Sequence, residues 1–346
     1  MTHVFIPTHM TMPAASPVGS YTEDFSGATM GTTWAVKLVR PQYISAVQLQ
    51  NGMQQALDKV VAQMSTWLAD SDISRFNQAA AGSWHVLPPE FFKVLDYGLF
   101  IAQQTSGAYD PSIGHLVNVW GFGPDKNAGQ IPSKEVLEQA RRQSGYQKLQ
   151  VDRLKQNVYQ PGGLSIDLSS IAKGFGVDQV ARYLEAQGIL SYLVEVGGEL
   201  RGLGTKPDNT PWWVELEQVQ TQTEAQTQTT STASIVALHG LSIATSGDYR
   251  RYFDYEGQRF SHTIDPCTGY PVTHNLAAVT VLHAECMIAD ALATAMTVMG
   301  LTLGMAYANQ LHVAALFVCR GAATTHGDQP AFTEHMSKAL MAMLEE

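Results

Sequence analysis

Cysteine, charge and uninterrupted apolar sequence are all in short supply in this chain. The three cysteines, Cys267, Cys286 and Cys319, are widely spaced and show no CxxC or Cys/His metal spacing, which excludes a zinc-ribbon type of site. Their odd number leaves at least one thiol outside any intramolecular disulfide, and they do not fix the redox compartment. Lys, Arg, Asp and Glu make up 15% of the residues, with a formal net charge of -10. Nucleic-acid binding is disfavoured, because phosphate backbones recruit clustered Lys and Arg. A single phosphorylated small molecule needs only a few well-placed donors. No run reads as long and apolar enough to cross a membrane, and the segment up to Phe25 lacks the basic start and apolar stretch of a secretory signal. The expectation is a cytoplasmic chain, or one that begins after a removed signal.

What is present is enough apolar sequence, 45% of 346 residues, to bury a sizeable core. Residues 1–20 are polar and Pro-containing and read as a disordered segment, with one folded domain over 21–346. Alternation of Trp34, Val36 and Leu38 predicts a strand over 32–39. Helical spacing of Leu57, Val60, Val61, Met64, Trp67 and Leu68 predicts a helix over 53–68. Further helices are expected over 90–105, 133–143, 169–187 and 286–299, the last stopped by Gly300. Strands are expected over 165–168, 190–196, 212–216, 234–238, 241–244 and 277–282, with a hairpin over 148–160 turning near Lys155 and Gln156. Residues 218–231 are almost entirely Gln and Thr and read as a surface insertion without chemistry of its own. Strands and helices mix without regular alternation, so the fold class is α+β with mixed or antiparallel sheets and packed helices.

Three segments carry chemistry. Asp290 and Thr294 stand four apart on one helix face, an oxygen-only pair suited to a hard cation such as Mg2+, or simply an exposed Asp–Thr pair. Ser165–Asp178, SIDLSSIAKGFGVD, runs a strand into a helix whose first turn contains Ser169, Ser170 and Lys173. That helix end favours an anion, and Lys173 adds a positive charge; the plainer reading is a capped helix with a surface lysine. Gly174 and Gly176 inside the helix argue for close packing or ligand approach, because each costs up to about 1 kcal/mol there. Ser246–Val272 contains His262, whose imidazole is suited to take a proton from a hydroxyl, though a lone histidine is more often structural. Gly107–Asp110 and Trp120–Gly123 place aromatics beside glycines, giving either a slot for a flat ring or core packing.

Taken in order, MGTTW, MSTWLADSDISRFN, GAYDPSIGHLVNVWGFGP, SIDLSSIAKGFGVD, VEVGGELRGLG, IATSGDYRRYF, HTIDPCTGYPV and ADALATAMTVMG resemble the FAD:protein FMN transferase (ApbE) family from about Phe25 to Gly300. The resemblance implies an ApbE-like flavin transferase fold and Mg2+-dependent transfer of FMN from FAD to a Thr or Ser hydroxyl of an acceptor protein, releasing AMP. It implies FAD contacts at Met30, Trp67, Ala108, Tyr109, Asp110, Asp167, Lys173 and Ile264. Asp290, Thr294 and the Ser170 carbonyl match the family's magnesium ligands, and His262 matches the histidine that assists transfer, with Lys173 beside it in the catalytic set. It implies a periplasmic or inner-membrane-associated setting, although no lipobox cysteine stands near this N-terminus. Three departures stand out. Cys267 replaces the usual Arg of DPRTG, Glu195 replaces the usual Asn or Asp before Gly197-Gly198, and the Gln/Thr insertion lengthens a loop. Asp24–Thr29 ends in Gly-Ala-Thr, similar to the acceptor pattern, which makes Thr29 a conceivable self-acceptor. A FAD pyrophosphatase yielding FMN and AMP, and a non-catalytic FAD-binding protein, are the competing readings.

Overall fold

The computed structural model describes residues 3–8, 12–15, 17–124, 130–217, 233–249, 251–256, 258–321 and 332–345. The Gln/Thr-rich stretch lies outside them. Among the described residues, eight strands form one sheet in the spatial order Phe332–Met336, Ala314–Arg320, Leu276–His283, Leu241–Gly247, Glu199–Leu203, Tyr192–Val196, Thr32–Arg40 and Tyr21–Thr29. Every neighbouring pair is antiparallel. The class is α+β.

Strand patterns explain why helices cover one side of this sheet and a second sheet the other. Val279 and Val281, with Ala315 and Phe317 on the next strand, join the core beneath the helices. Ala278, Leu282, Leu316 and Val318 join the opposite core, with Phe5, Trp212, Val236 and Leu238. A strand buried on both faces has no polar side, which is why Leu276–His283 reads as a continuous apolar run. A register shift between Leu276 and Ala278 puts Ala277 and Ala278 on the same side, as a bulge does.

The opposite core is closed by a three-stranded sheet of His3–Phe5, Ser234–Leu238 and Trp212–Glu215. Its first strand falls inside the segment expected to be disordered. That strand pairs in parallel with Ser234–Leu238, setting His3 opposite Ser234, Val4 opposite Ile235 and Phe5 opposite Val236. Phe5 is fully buried with Trp212, Val236 and Leu238, so an apolar anchor holds this segment.

Three helices bear on the site. Ala46–Met64 is capped by Ser45 and ends at Ser65, so Trp67 and Leu68, expected to lie on it, fall in the following turn and are exposed. Ala172–Ala186 begins three residues later than expected: Ser165 makes only an isolated bridge to Ile113, and residues 169–171 form a turn. Cys286–Gln310 breaks at Gly300 (φ 73°), where the His274 Nε2 lies 2.8 Å from the Thr297 carbonyl. This last helix corrects the expectation that no segment is long and apolar enough to cross a membrane. It packs against Leu241–Gly247 and Leu276–His283 as a core helix.

Candidate active site

The helices Ala172–Ala186 and Cys286–Gln310 meet closely because Gly174 has no side chain. A Cβ there would stand 2.4 Å from the Cys286 carbonyl oxygen and 2.9 Å from the Asp290 Cβ. At this approach the Gly174 N–H donates to Asp290 Oδ2 at 3.0 Å, and Asp290 is buried. Of the two explanations for a glycine in this helix, close packing is the one observed. Asp178, one turn further on, is fully buried and accepts from the Cys286 and Met287 N–H groups at 3.1 and 2.9 Å. It thus caps the helix that carries Asp290.

Lys173 reaches Glu199 Oε1 at 2.6 Å, and Glu199 is almost completely buried. Two residues along the same strand, Arg201 Nη1 lies 2.6 Å from Asp178 Oδ1. The turn Gly197-Gly198 beside Lys173 needs positive φ at both residues (59° and 99°), and the Gly198 N–H donates to Glu195 Oε1 at 2.6 Å. Glu195 therefore serves this turn. Glu199 and Arg201 escaped the sequence reading; their signal was opposite charge two residues apart in an otherwise apolar strand.

Tyr109 is buried, and its hydroxyl accepts from Ser170 Oγ at 3.2 Å. Burial raises its pKa above the ordinary tyrosine value, with Asp290, Asp167 and Asp110 adding to the effect. Asp167 accepts from the Ser169 N–H at 2.8 Å and from Ser169 Oγ at 2.5 Å, so it orders the turn rather than capping the helix. Asp110 accepts from the Ser112 N–H and hydroxyl and from the Tyr146 N–H. Burial raises its pKa, opposed by these hydrogen bonds.

Met30 adopts φ 49° and lays its methyl group over Gly176. Ala108 is half-buried beside Tyr109. Ile264 is buried with Leu116, Trp120, Leu137 and Ala140. Trp67 is 62% exposed, and among the described residues no hydrogen bond or ring contact ties it to this group. His262 is half-buried, with Nδ1 3.0 Å from the Arg251 carbonyl. Trp120 is fully buried and its Nε1 donates to the Gly269 carbonyl at 2.8 Å, so it packs the core and does not offer a slot for a ring. Thr29 is buried at the end of its strand, which does not present it as an exposed acceptor.

The donors suit a hard cation. Asp290 carries a carboxylate, Thr294 a hydroxyl one turn along the same helix, and Ser170 a carbonyl in the turn held against Tyr109, the oxygens that would hold such a cation. Among the described residues no group of three or more His, Cys, Asp or Glu is arranged to hold a metal ion. A single carboxylate with neutral oxygens fits Mg2+, which keeps several waters. A cleft of about 410 Å3 opens nearby, lined by Arg141, Arg142, Gly145 and Cys267 among others. It does not include the Asp290 group; it meets the site through Gly145, whose N–H donates to Ser112 Oγ.

The chain belongs to the ApbE family, whose model matches residues 30–317. It is 39% identical to the FAD:protein FMN transferase of Vibrio cholerae serotype O1 over 298 residues, covering 85% of this chain and 86% of that protein. It is 38% identical over 301 residues to the protein of the same name from Haemophilus influenzae, covering 85% and 86%. Among solved structures it is similar to the apo flavinyl transferase ApbE of Pseudomonas stutzeri, with a TM-score of 0.83 and 37% identity, covering 94% of this chain and 97% of that one.

Proposed function

We propose that this chain transfers the FMN half of FAD to a Thr or Ser hydroxyl of an acceptor protein, with Mg2+, forming a phosphoester and releasing AMP. The observation that carries the reading is the contact between Gly174 and Asp290. It supports a metal-assisted transfer because Gly174 directly follows Lys173 near the N-terminal end of its helix, where phosphate charge is favoured. Mg2+ held by Asp290, Thr294 and the Ser170 carbonyl would neutralise pyrophosphate charge.

The protein's own groups do the rest. Lys173, oriented by Glu199, brings a positive charge to the phosphates. With Nδ1–H donated to the Arg251 carbonyl, the His262 ring presents Nε2 as the basic nitrogen; this tautomer is assigned from the hydrogen bond. Nε2 takes the proton of the acceptor hydroxyl as its oxygen bonds to the FMN phosphorus, and the P–O bond to AMP breaks. Met30, Ala108, Tyr109, Asp110, Asp167 and Ile264 line the FAD site, with Trp67 offering an exposed aromatic face.

Incubation with FAD and an acceptor protein, with and without Mg2+, tests this on a flavin-fluorescence gel and by intact mass. An FMN-sized adduct is expected only with Mg2+. AMP release without protein-bound flavin identifies a pyrophosphatase, and FAD binding without AMP release a binding protein. Asp290→Asn keeps an acceptor for the Gly174 N–H and removes the charge; transfer surviving at wild-type rate in that variant refutes the cation assignment.

A further inference from the structure

The segment Trp120-Gly121-Phe122-Gly123 supplies no group to the transfer chemistry, yet its geometry is tightly specified. The helix Gly114–Val119 ends with the Gly121 N–H bonded to the Asn118 carbonyl and the Phe122 N–H to the Val117 carbonyl. This is a Schellman termination, and Gly121 supplies the left-handed residue it needs, at φ 75°. Gly123 packs against Asn118: a Cβ there would stand 1.8 Å from its Oδ1 and 3.3 Å from its Cα. The hydrogen-bonded termination at Gly121 sets the backbone from which Phe122 departs, and so the destination of its side chain.

That destination is His262. The two rings meet edge to face, with centroids 6.2 Å apart and planes at 70°. On its other side Phe122 contacts Phe253 at 5.8 Å. Phe253 stacks on Phe260 at 5.2 Å across the hairpin Tyr252–Tyr255 and Gln258–Ser261, and both rings stack on Trp120. The Arg251 carbonyl next to this hairpin accepts the His262 backbone N–H at 3.1 Å and lies 3.0 Å from Nδ1. The Arg251 guanidinium turns back to the Phe122 carbonyl at 3.5 Å.

We propose that Phe122 is a positioning residue for His262: its ring holds the imidazole in the plane that keeps Nδ1 on the Arg251 carbonyl and Nε2 basic. The proposal rests on the reading of His262 as the proton acceptor, and it deepens that reading. An edge-to-face pair contributes enough to change the populated orientation several-fold.

The test uses the full chain, Phe122→Leu, Phe122→Tyr and His262→Gly. The first readout is ring-nitrogen NMR of 15N-histidine-labelled protein, with His262→Gly assigning the signals; it needs no turnover. Wild type and Phe122→Tyr are expected to show the Nδ1–H tautomer, and Phe122→Leu a mixture. The second readout is transfer kinetics: Phe122→Leu should lower kcat by roughly 3- to 10-fold at unchanged KM for FAD. Phe122→Tyr should restore it, and Phe122→Leu should cost nothing further in the His262→Gly background. An unchanged tautomer in Phe122→Leu overturns the proposal, as does an equal loss of rate without the imidazole. If the tautomer responds as expected but wild type makes no protein-bound flavin, the transferase reading fails and the positioning stands.

Discussion

Replacing Gly174 by alanine sets two magnitudes against each other. Alanine is the better helix former by about 1 kcal/mol, so an exposed glycine in this helix would be improved by the change. At this position the new methyl group meets the Cys286 carbonyl oxygen at 2.4 Å, its carbon at 2.7 Å and the Asp290 Cβ at 2.9 Å. None of these is the far end of a flexible side chain, and Asp178 holds the Cys286 backbone from the other side. The two helices must separate by about 1 Å to restore ordinary contact, an overpacking cost of about 1–3 kcal/mol. The difference leaves a net destabilisation of up to about 2 kcal/mol, lowering Tm by up to about 3 °C in a thermal melt. The same separation draws the Gly174 N–H away from Asp290, so the Mg2+ concentration at half-maximal FMN transfer should rise. A Tm raised by the propensity gain, with an unchanged Mg2+ midpoint, would falsify the close-approach argument.

Burial holds the His283 pKa below its ordinary value of 6.5. The unfolded chain therefore takes up a proton first as pH falls, so this residue costs nothing above that pH and lowers stability progressively below it. His283→Asn, which keeps an acceptor for the Glu285 N–H, should flatten urea-derived stability as pH falls below about 6.5; an unchanged slope sinks the assignment. Arg201→Met leaves the fully buried Asp178 without its cation and should cost about 3 kcal/mol or more in urea unfolding, whereas a loss under about 1 kcal/mol is the behaviour of an exposed pair. Of the three cysteines only Cys267 is exposed, and burial raises the Cys286 thiol well above its usual pKa. One thiol should label quickly with a disulfide reagent in the native protein and all three in denaturant; rapid native labelling of two or three contradicts this packing.

Periodicity made the helices legible, and it misled where a turn continued the pattern by chance. The helix Pro89–Gln104 and the hairpin turning at Gln156 (φ 52°) were readable because apolar spacing and turn residues agree there. Trp67 and Leu68 stand at helical spacing from Met64, but the helix has ended at Ser65. The strand Tyr21–Thr29 went unread because it is a sheet edge with mostly polar, exposed residues. His3–Phe5 went unread because three residues carry no period; its order comes from a partner more than two hundred positions away. At the site, the resemblance to the family supplied the grouping of residues. Spacing alone offered Asp290–Thr294 as a pair and gave no hint that Gly174 would meet it.

The packing of this molecule rests on the same residues to which the proposed chemistry is assigned. Along Ala172–Ala186, Gly174 and Asp178 lie one turn apart and both address the start of the helix that carries Asp290: one admits its backbone, the other caps its N–H groups. The strand Glu199–Leu203 grips the same helix from the sheet, with Glu199 on Lys173 and Arg201 on Asp178. Glu199 and Arg201 share a strand face, so the register that sets one ion pair also sets the other. A shift of Ala172–Ala186 along the sheet would break both ion pairs, and a shift of Cys286–Gln310 would break its hydrogen bonds to Asp178 and Gly174. The relative placement of Lys173 and Asp290 is thus set by ion pairs, hydrogen bonds and a close helix approach within the protein itself.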